Sequence, residues 1–286
     1  MMLKLDLSVA SLVLLSAILH ASWNAVVKSD SDRLLSFGLV MLTGTAMGLL
    51  AAPFVTFPPA AAWPWLVASV LIHIAYYFFL LRAYAHGDLS HVYPIARGLA
   101  PLLVAIIAGR FVGEALVARE IAGVLMVSVG IVALAFSRGI PRGNEWRPIG
   151  YALLTGITIA GYSVVDGLGA RAAGDALGYI AWLNVCEGPW VFIVALASRR
   201  RAIVPYLRAY WWRGVGGGAV ATIGYGIAIW ALSLGAMAHV TALRETSSLF
   251  GALIGAFILK ESFGWRRVAA AAVMVAGLLL MNLRFD

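Results

Sequence analysis

Apolar runs of about 20 residues follow one another along almost the whole sequence. A run of this length crosses the ~30 Å hydrocarbon core of a bilayer as an α-helix. The runs are about twice as long as a membrane β-strand and lack its alternation of apolar and polar residues. We therefore predict an all-α integral membrane protein. Breaks at Gly, Pro and charged residues divide the chain into ten predicted transmembrane helices, at 7–28, 34–52, 64–86, 91–111, 119–137, 148–168, 176–197, 211–234, 239–259 and 265–283.

The composition also indicates a protein that lies in lipid. Hydrophobic residues make up 62% of the chain and charged residues 12%, against about 25% charged in a soluble domain. The formal charge of +8 comes mostly from Lys and Arg in the short gaps between runs, where they anchor to lipid headgroups. We therefore expect the bilayer as the partner of this charge and no nucleic acid. The single Cys186 excludes an internal disulfide and a cysteine-based metal site. No metal site, cofactor or Walker nucleotide loop is predicted.

The two halves of the chain resemble each other. An offset of 148 residues pairs Tyr77 with Tyr225, and an offset of 147 pairs Arg97 with Arg244. The change of offset lies beside Pro94, which disturbs helical hydrogen bonding, so we predict a kink or bulge in the fourth helix.

Each half contains five predicted spans, and five is odd. The second half should therefore enter the bilayer upside down relative to the first. We predict a first five-helix repeat at 1–137, a linker at 138–147 and a second repeat at 148–286. Inverted repeats place a binding site near the midplane at their interface, and access alternates as one half rocks against the other. A central cavity between the repeats is therefore expected.

Three stretches carry a resemblance to a known family. They are HASWNAVVK from His20, GDLSHVYPIARGLAPLL from Gly87 and AHVTALRETSSLFGALIGAFILKES from Ala238. They resemble the drug/metabolite transporter (DMT) superfamily in its EamA-type ten-helix branch, and the resemblance spans nearly the whole chain. It implies a basket of ten helices around a central cavity and export of small metabolites, often amino acids or their relatives. It implies no particular substrate.

The paired arginines are the leading candidates for substrate binding. An arginine at the bilayer centre costs at least ~2.5 kcal/mol, whereas arginine facing a cavity can bind a carboxylate through two parallel hydrogen bonds. We predict that Arg97 and Arg244 face the cavity. Two alternatives stay open: snorkelling to the headgroups, or an Arg–Glu pair that only stabilises the fold. The neighbours that we add to the predicted substrate site, by helical spacing or adjacency, are Tyr93, Thr241, Glu245 and Ser248.

Two carboxylates are candidates for proton coupling. Glu187 lies within the seventh span, and Glu245 follows Arg244. An ionisable residue inside the membrane is a candidate for a proton relay, although a glutamate can also simply hydrogen-bond a neighbouring helix. The pair Gly188 and Pro189 predicts an interrupted seventh helix.

Aromatic and polar residues supply wall material for the cavity. Trp23 and Asn24 match Tyr162 and Ser163 in the second half, so we assign these four to the substrate site. Further wall candidates are Tyr76, Tyr77, Trp182, Trp190, Tyr225 and Trp230. His20, His91 and His239 could shuttle protons, but the last two begin spans and are expected to cap helices or face water.

Small residues on the fifth and tenth spans predict close helix contact: Gly123, Gly130, Ala269, Ala276 and Gly277. Packing inside the bundle and a homodimer seam would look the same in sequence.

The orientation stays open. The odd-numbered connections hold 14 basic residues and the other side 5, which favours odd connections in the cytoplasm and both termini outside. The family resemblance suggests the reverse.

We predict a secondary transporter of the cytoplasmic (inner) membrane that exports a small zwitterionic or anionic metabolite by alternating access, with proton coupling as a further hypothesis. A polytopic enzyme acting on lipid is the alternative from another class. It would need a cluster of acid, base and nucleophile at the membrane face, and the sequence shows no such pairing. A passive channel or accessory membrane subunit is a third alternative.

Overall fold

The computed structural model describes residues 6–86, 89–135, 146–257 and 265–282, and within these ranges the chain forms helices and no strand. Seven helical stretches are long and apolar enough to cross a membrane. The predicted all-α membrane fold is confirmed. The helices are α1 (Leu7–Lys28), α2 (Arg33–Ala51), α3 (Trp63–His86), α4 (Leu89–Ile107), α5 (Ala118–Ala135), α6 (Trp146–Ala173), α7 (Ala176–Arg199), α8 (Ile203–Ser233), α9 (Met237–Arg244), α10 (Thr246–Phe257) and α11 (Trp265–Asn282).

The outer surface of the bundle is apolar. Large side chains such as Leu50, Phe111 and Val129 are mostly exposed, which a water-soluble protein would avoid over so many positions. Inside, the largest apolar core lies where α1, α4, α5, α9 and α11 meet, around Val104 and Met274. The outward faces of the helices are therefore suited to lipid tails.

The helix contacts follow the pattern expected for two related halves. α3 packs on α6 while α8 packs on α1, and α4 packs on α6 while α9 packs on α1. α2 packs against α7, and α5 against α11. Exchanging the two halves turns the α3–α6 and α4–α6 contacts into the α8–α1 and α9–α1 contacts and leaves the α2–α7 and α5–α11 contacts unchanged, as a two-fold relation between repeats would require. The repeat boundaries at 1–137 and 148–286 stay predictions.

Aspartates cap the second helix of each half. The Asp32 carboxylate accepts hydrogen bonds from the amides of Leu34 and Leu35 at 3.1 and 3.2 Å, and Asp175 accepts from Leu177 at 3.0 Å. Such a cap satisfies amides that have no partner within the helix. Partial burial of Asp175 opposes its ionisation, but hydrogen bonds from backbone amides, those of Thr56 and Leu177 among them, outweigh it and lower its pKa.

The predicted small-residue faces bring α5 and α11 together. A Cβ added to Gly277 would lie 2.7 Å from the Gly123 carbonyl oxygen, and one on Gly130 would lie 2.6 Å from Met274. These glycines therefore serve packing within the bundle. Ala269 and Ala276 are exposed on the outer face of α11, and a homodimer stays a prediction.

α4 is a single helix that contains Pro94, and the kink or bulge predicted there stays a prediction. The interruption predicted in the seventh helix is wrong, because α7 runs unbroken through Pro189. Gly188 instead lets α7 approach α2, because a Cβ there would lie 2.5 Å from the Met41 carbonyl oxygen. The break occurs in the second half, where α9 ends at Arg244 and Glu245 separates it from α10.

Candidate functional site

A cavity of about 360 Å³ lies between the two halves. Four helices of the first half (α1 to α4) and four of the second (α6 to α9) supply its walls. Its polar lining consists of His20, Asn24, Arg33, His73, Tyr76, Tyr77, Arg97, Tyr162, Asn184, Glu187, Thr222, Tyr225 and Arg244.

The cavity opens toward one face of the bundle. The lining residues of α1 and α3 extend to Val27 and Ala85 near the ends of these helices, and those of α2 begin at Arg33, its first residue. Because successive helices cross in opposite directions, these three ends lie on the same side. We call it the open face; it carries the α1–α2, α3–α4 and α7–α8 connections. The opposite side is the closed face.

A charged cluster joins three helix ends on the closed face. The Arg171 Nη2 atom at the end of α6 donates to a Glu114 carboxylate oxygen at 2.6 Å, and the other Glu114 oxygen accepts from the amide of Met237 at 2.7 Å. The same arginine donates to the carbonyl oxygens of Leu232 and Ser233 at 3.0 and 3.1 Å. The cluster thus ties the α4–α5 connection to α6 and to the α8–α9 connection.

Arg97 lies in the cavity wall and is paired. Its Nε donates to the Glu245 Oε2 atom at 2.8 Å, and its Nη2 to the Ser247 hydroxyl at 3.4 Å. Arg97 is 3% exposed and Glu245 1%, so Arg97 does not snorkel to the outer surface. The ion pair joins the two halves of the chain, and Glu245 itself lies behind the cavity lining.

Arg244 lies in the same wall in a different state. Its guanidinium carbon stands 5.2 Å from the centre of the Tyr225 ring, a cation–π contact. Its Nε is buried without a hydrogen-bond partner, and no carboxylate of the described residues forms an ion pair with it. The two arginines are therefore not equivalent, since the Arg244 Nε donor has no hydrogen-bond acceptor among the described residues.

Glu187 lies in the cavity wall on α7. The Tyr77 hydroxyl donates to its Oε1 atom, and the His73 Nδ1 atom is 4.0 Å from its Oε2 atom. The His73 ring stacks on Tyr162 at 4.2 Å between centroids. A carboxylate, an imidazole and two phenols thus meet at one side of the cavity.

Comparison with known proteins identifies the family. Residues 146–283 match the model of the EamA-like transporter family. Residues 146–283 of this chain belong to the EamA-like transporter family. The predicted resemblance is confirmed, and the protein is a multi-pass membrane transporter of this family.

A solved structure supports the fold of the whole EamA-like chain. Described only as the crystal structure of a protein, it covers 97% of this chain and 98% of its own, with a TM-score of 0.78 and 21% sequence identity. At that identity the likeness shows the fold alone. No curated protein matches the chain.

Several predicted site residues line the cavity of this EamA-like protein and others do not. Trp23 and Tyr162 line it, as does Asn24, whose side chain donates to the His20 carbonyl at 2.8 Å. Ser163 is buried outside the lining, and its hydroxyl is bonded within α6. Thr241 and Ser248 are also buried outside the lining, with hydroxyls that find no partner among the described residues. The side chains of Tyr93 and His91 lie outside the described residues.

Other expectations from sequence need correction. His239 neither caps a helix at the surface nor faces water: it is buried, with its Nε2 3.6 Å from a Glu120 carboxylate oxygen. Trp190 is 52% exposed on the outside of the bundle and does not belong to the wall. Trp182 and Trp230 pack against an apolar core outside the cavity lining.

Sequence reasoning missed two ionisable residues near the cavity. His73 lies in the middle of α3, and Asp166 is completely buried in α6. The Asp166 carboxylate accepts hydrogen bonds from the hydroxyls of Tyr179, at 3.0 Å, and Tyr225. The rule that singled out Glu187, an ionisable residue inside an apolar span, would have found both.

Proposed function

We propose that this EamA-like protein is a secondary transporter that binds a small anionic or zwitterionic metabolite in its central cavity and exports it by alternating access. One observation carries the proposal: Arg244 is buried in the cavity wall with unused donors, while Arg97 is already neutralised by Glu245. A desolvated guanidinium without a carboxylate partner favours an anionic ligand group.

The cavity dimensions support a small substrate. At about 360 Å³ it lies near the lower end of the range of roughly 300–1,000 Å³ for ligand pockets. The Tyr225 ring holds the Arg244 guanidinium from one side, which leaves the fork of donors for a carboxylate. Glu187 lines the same cavity and would suit the ammonium group of a zwitterion.

Glu187 is the better of the two candidates for proton coupling. It lines the cavity, so substrate and solvent reach it, whereas Glu245 is held by Arg97 behind the lining. A proton on Glu187 and a substrate amine would compete for the same oxygens, which is a direct way to couple their movements.

The basic residues on the open face support export as the direction of transport. It carries the odd-numbered connections, which hold 14 basic residues against 5 on the other side, so the positive-inside rule assigns it to the cytoplasm. A cavity that fills from the cytoplasm is what an exporter in the inner membrane requires. A reporter fused after Asp286 checks this assignment, because the C-terminus should then lie outside.

Transport by Arg244 variants tests the proposal. A thermal-shift screen of purified protein against amino acids, their derivatives and organic anions first identifies a ligand, since a ligand that binds the native state raises its melting temperature. Uptake into inside-out vesicles is then measured. Arg244→Ala should lose roughly 10- to 150-fold in transport, the equivalent of one hydrogen bond to a charged group at about 1.5–3 kcal/mol.

The control for this experiment is Arg208→Ala, which removes an exposed arginine of α8 outside the cavity and should transport normally. Arg244→Lys keeps the charge without the fork and should fall between the two. Unchanged transport by folded Arg244→Ala would refute the substrate role of this arginine.

Glu187→Gln tests the coupling. We expect transport by this variant to become insensitive to the pH gradient, whereas a conservative change at a surface carboxylate, Asp32→Asn, should leave that sensitivity intact. Full pH-gradient dependence in Glu187→Gln would remove this residue from the coupling role.

A further inference from the structure

Asp166 does not line the cavity, yet it is held from two sides at a short distance behind the cavity wall. It is 0% exposed on α6. The Tyr179 hydroxyl donates to one of its carboxylate oxygens at 3.0 Å, and the Tyr225 hydroxyl donates to the other. Both oxygens of this buried carboxylate thus have a hydrogen-bond partner, as burial requires.

Tyr179 anchors Asp166 in the packed interior. Its side chain is 0% exposed and belongs to an apolar core that includes Ala170 and Ile229. It also lies against the backbone of α6, because a Cβ added to Gly169 would collide with the Tyr179 ring. A ring packed this closely cannot turn without moving its neighbours, so it holds Asp166 in one position.

Tyr225 carries this constraint from Asp166 to the cavity. Its ring is half-buried and lines the cavity, and the rings of Tyr162 and His73 stand nearly perpendicular to it, with centroids at 6.0 and 5.8 Å. The guanidinium carbon of Arg244 lies 5.2 Å from the ring centre. The hydrogen bond to Asp166 fixes the hydroxyl end of the ring and therefore the plane on which Arg244 rests.

The two cavity arginines are therefore oriented in different ways. Glu245 binds Arg97 directly and occupies its Nε donor. Asp166 reaches Arg244 only through a phenol ring, so the carboxylate occupies no guanidinium donor. Donation to a carboxylate also enriches the ring face in electrons, which strengthens its attraction for a cation. An arginine held in this way has a fixed direction and can still bind an anion.

We propose that Asp166 is a positioning residue for substrate binding: through Tyr225 it holds the Arg244 guanidinium in the orientation that receives the anionic group of the substrate. The inference rests on the proposed function, because that function assigns the substrate contact to Arg244. A guanidinium that is already immobilised loses less conformational freedom when a ligand binds. Loss of the hydrogen bond between Tyr225 and Asp166 should therefore weaken the binding of an anion.

Nuclear magnetic resonance of arginine side chains tests the positioning without a substrate. Purified protein that contains isotope-labelled arginine in micelles gives signals for slowly exchanging Nε–H groups, and Arg244→Lys identifies the Arg244 signal by its loss. A proton over the face of an aromatic ring is shielded, so this signal reports where the ring lies. Spectra are recorded for the wild type, Tyr225→Phe and Asp166→Asn. The matched control is Tyr206→Phe, which removes the same kind of hydrogen bond, to the buried Asp30, near the start of α8.

We expect the Arg244 signal to move toward the positions of exposed arginines in Tyr225→Phe and in Asp166→Asn, and to stay in place in Tyr206→Phe. Phenylalanine keeps the ring and its shielding, so a change in Tyr225→Phe reports movement. Asparagine keeps one acceptor oxygen and leaves one phenol without a partner. If Asp166→Asn does not fold, Tyr179→Phe replaces it, because that change loosens the same carboxylate from its other side.

Titration with sodium acetate, against sodium chloride at the same ionic strength, then tests the consequence for anion binding. Acetate should shift the Arg244 signal of the wild type. Its dissociation constant should rise roughly 2- to 12-fold in Tyr225→Phe, the equivalent of immobilising one long side chain. Tyr206→Phe should bind acetate as the wild type does.

Two results would overturn the positioning role: an Arg244 signal that stays in place in Tyr225→Phe, or equal acetate affinity in the wild type and Tyr225→Phe. The first would mean that the neighbouring rings alone hold Tyr225, and that a change seen in Asp166→Asn comes from its charge. A failure of the proposed function would look different. The Arg244 signal would depend on Tyr225 and Asp166 as expected, but acetate would shift it in no variant.

Discussion

The two cavity arginines should differ sharply in their contribution to stability. Replacement of Arg97 by methionine leaves Glu245, which is 1% exposed, as an unpaired buried carboxylate. Breaking a buried ion pair in this way costs about 3–5 kcal/mol. Glu245→Leu leaves the Arg97 guanidinium unpaired and should cost a similar amount.

The same change at Arg244 should be mild. Arg244→Met removes a cation–π contact with Tyr225, worth about 0.5–2 kcal/mol, and breaks no ion pair with a described residue. It also removes a buried Nε that has no hydrogen-bond partner. We therefore expect a loss of at most about 2 kcal/mol, which is clearly separated from the Arg97 variant.

Chemical denaturation in mixed micelles measures these differences as free energies of unfolding. The double variant Arg97→Met/Glu245→Leu completes a double-mutant cycle with the two single variants. Because it leaves neither member of the Arg97–Glu245 pair buried without its partner, its stability should lie close to the wild type and far from the sum of the single losses. Additive losses, or equal losses in Arg97→Met and Arg244→Met, would refute the reasoning.

Three further predictions concern the scaffold. Gly277→Ala should destabilise the bundle by about 1–3 kcal/mol, because its Cβ meets backbone atoms of α5. The control Gly150→Ala, with open space around it, should be neutral or slightly stabilising. Matched unfolding curves for the two variants would contradict this prediction. Glu114→Gln should cost roughly 1–3 kcal/mol and speed hydrogen exchange at the start of α9, since Arg171 loses its charged acceptor; unchanged exchange would argue against the cluster. Because the pKa of Asp175 is lowered in the folded protein, its ionised carboxylate stabilises the fold fully above the unfolded-state pKa of about 3.9. This stabilisation is lost as pH falls through the folded-state pKa. The melting temperatures of the wild type and of Asp175→Ala should therefore converge in acid.

The positions of the helices were predictable because bilayer thickness fixes the length of an apolar span. Hydropathy located every helix to within a few residues except at α8, where the chain stays helical from Ile203, eight residues before the predicted start. The interruption predicted in the seventh helix failed because proline removes only one helical hydrogen bond, and α7 tolerates that loss. The real break follows Arg244, where Glu245 turns to meet a partner on another helix.

The partners of the buried charges were not predictable from the spacing of residues. Arg244 and Glu245 are adjacent, which suggests a local pair, but neighbours on a helix point in different directions. Arg97, 148 positions away, takes Glu245 instead. His73 was not predicted because the repeat pairs it with Ala221. The paired candidates were chosen from polar residues that recur in both halves, and His73 does not recur.

The one-sided opening of the cavity has a consequence for the reverse conformation. Its present walls come from the end of α1, the start of α2 and the end of α3. If the halves trade roles, the equivalent segments are the end of α6, the start of α7 and the end of α8, where Asp166, Tyr179 and Trp230 now lie in the packed interior. A mirror-image vestibule built from these segments would expose Asp166 to water on the far side of the membrane, so side chains that are now packed inside the bundle would become part of the substrate's path.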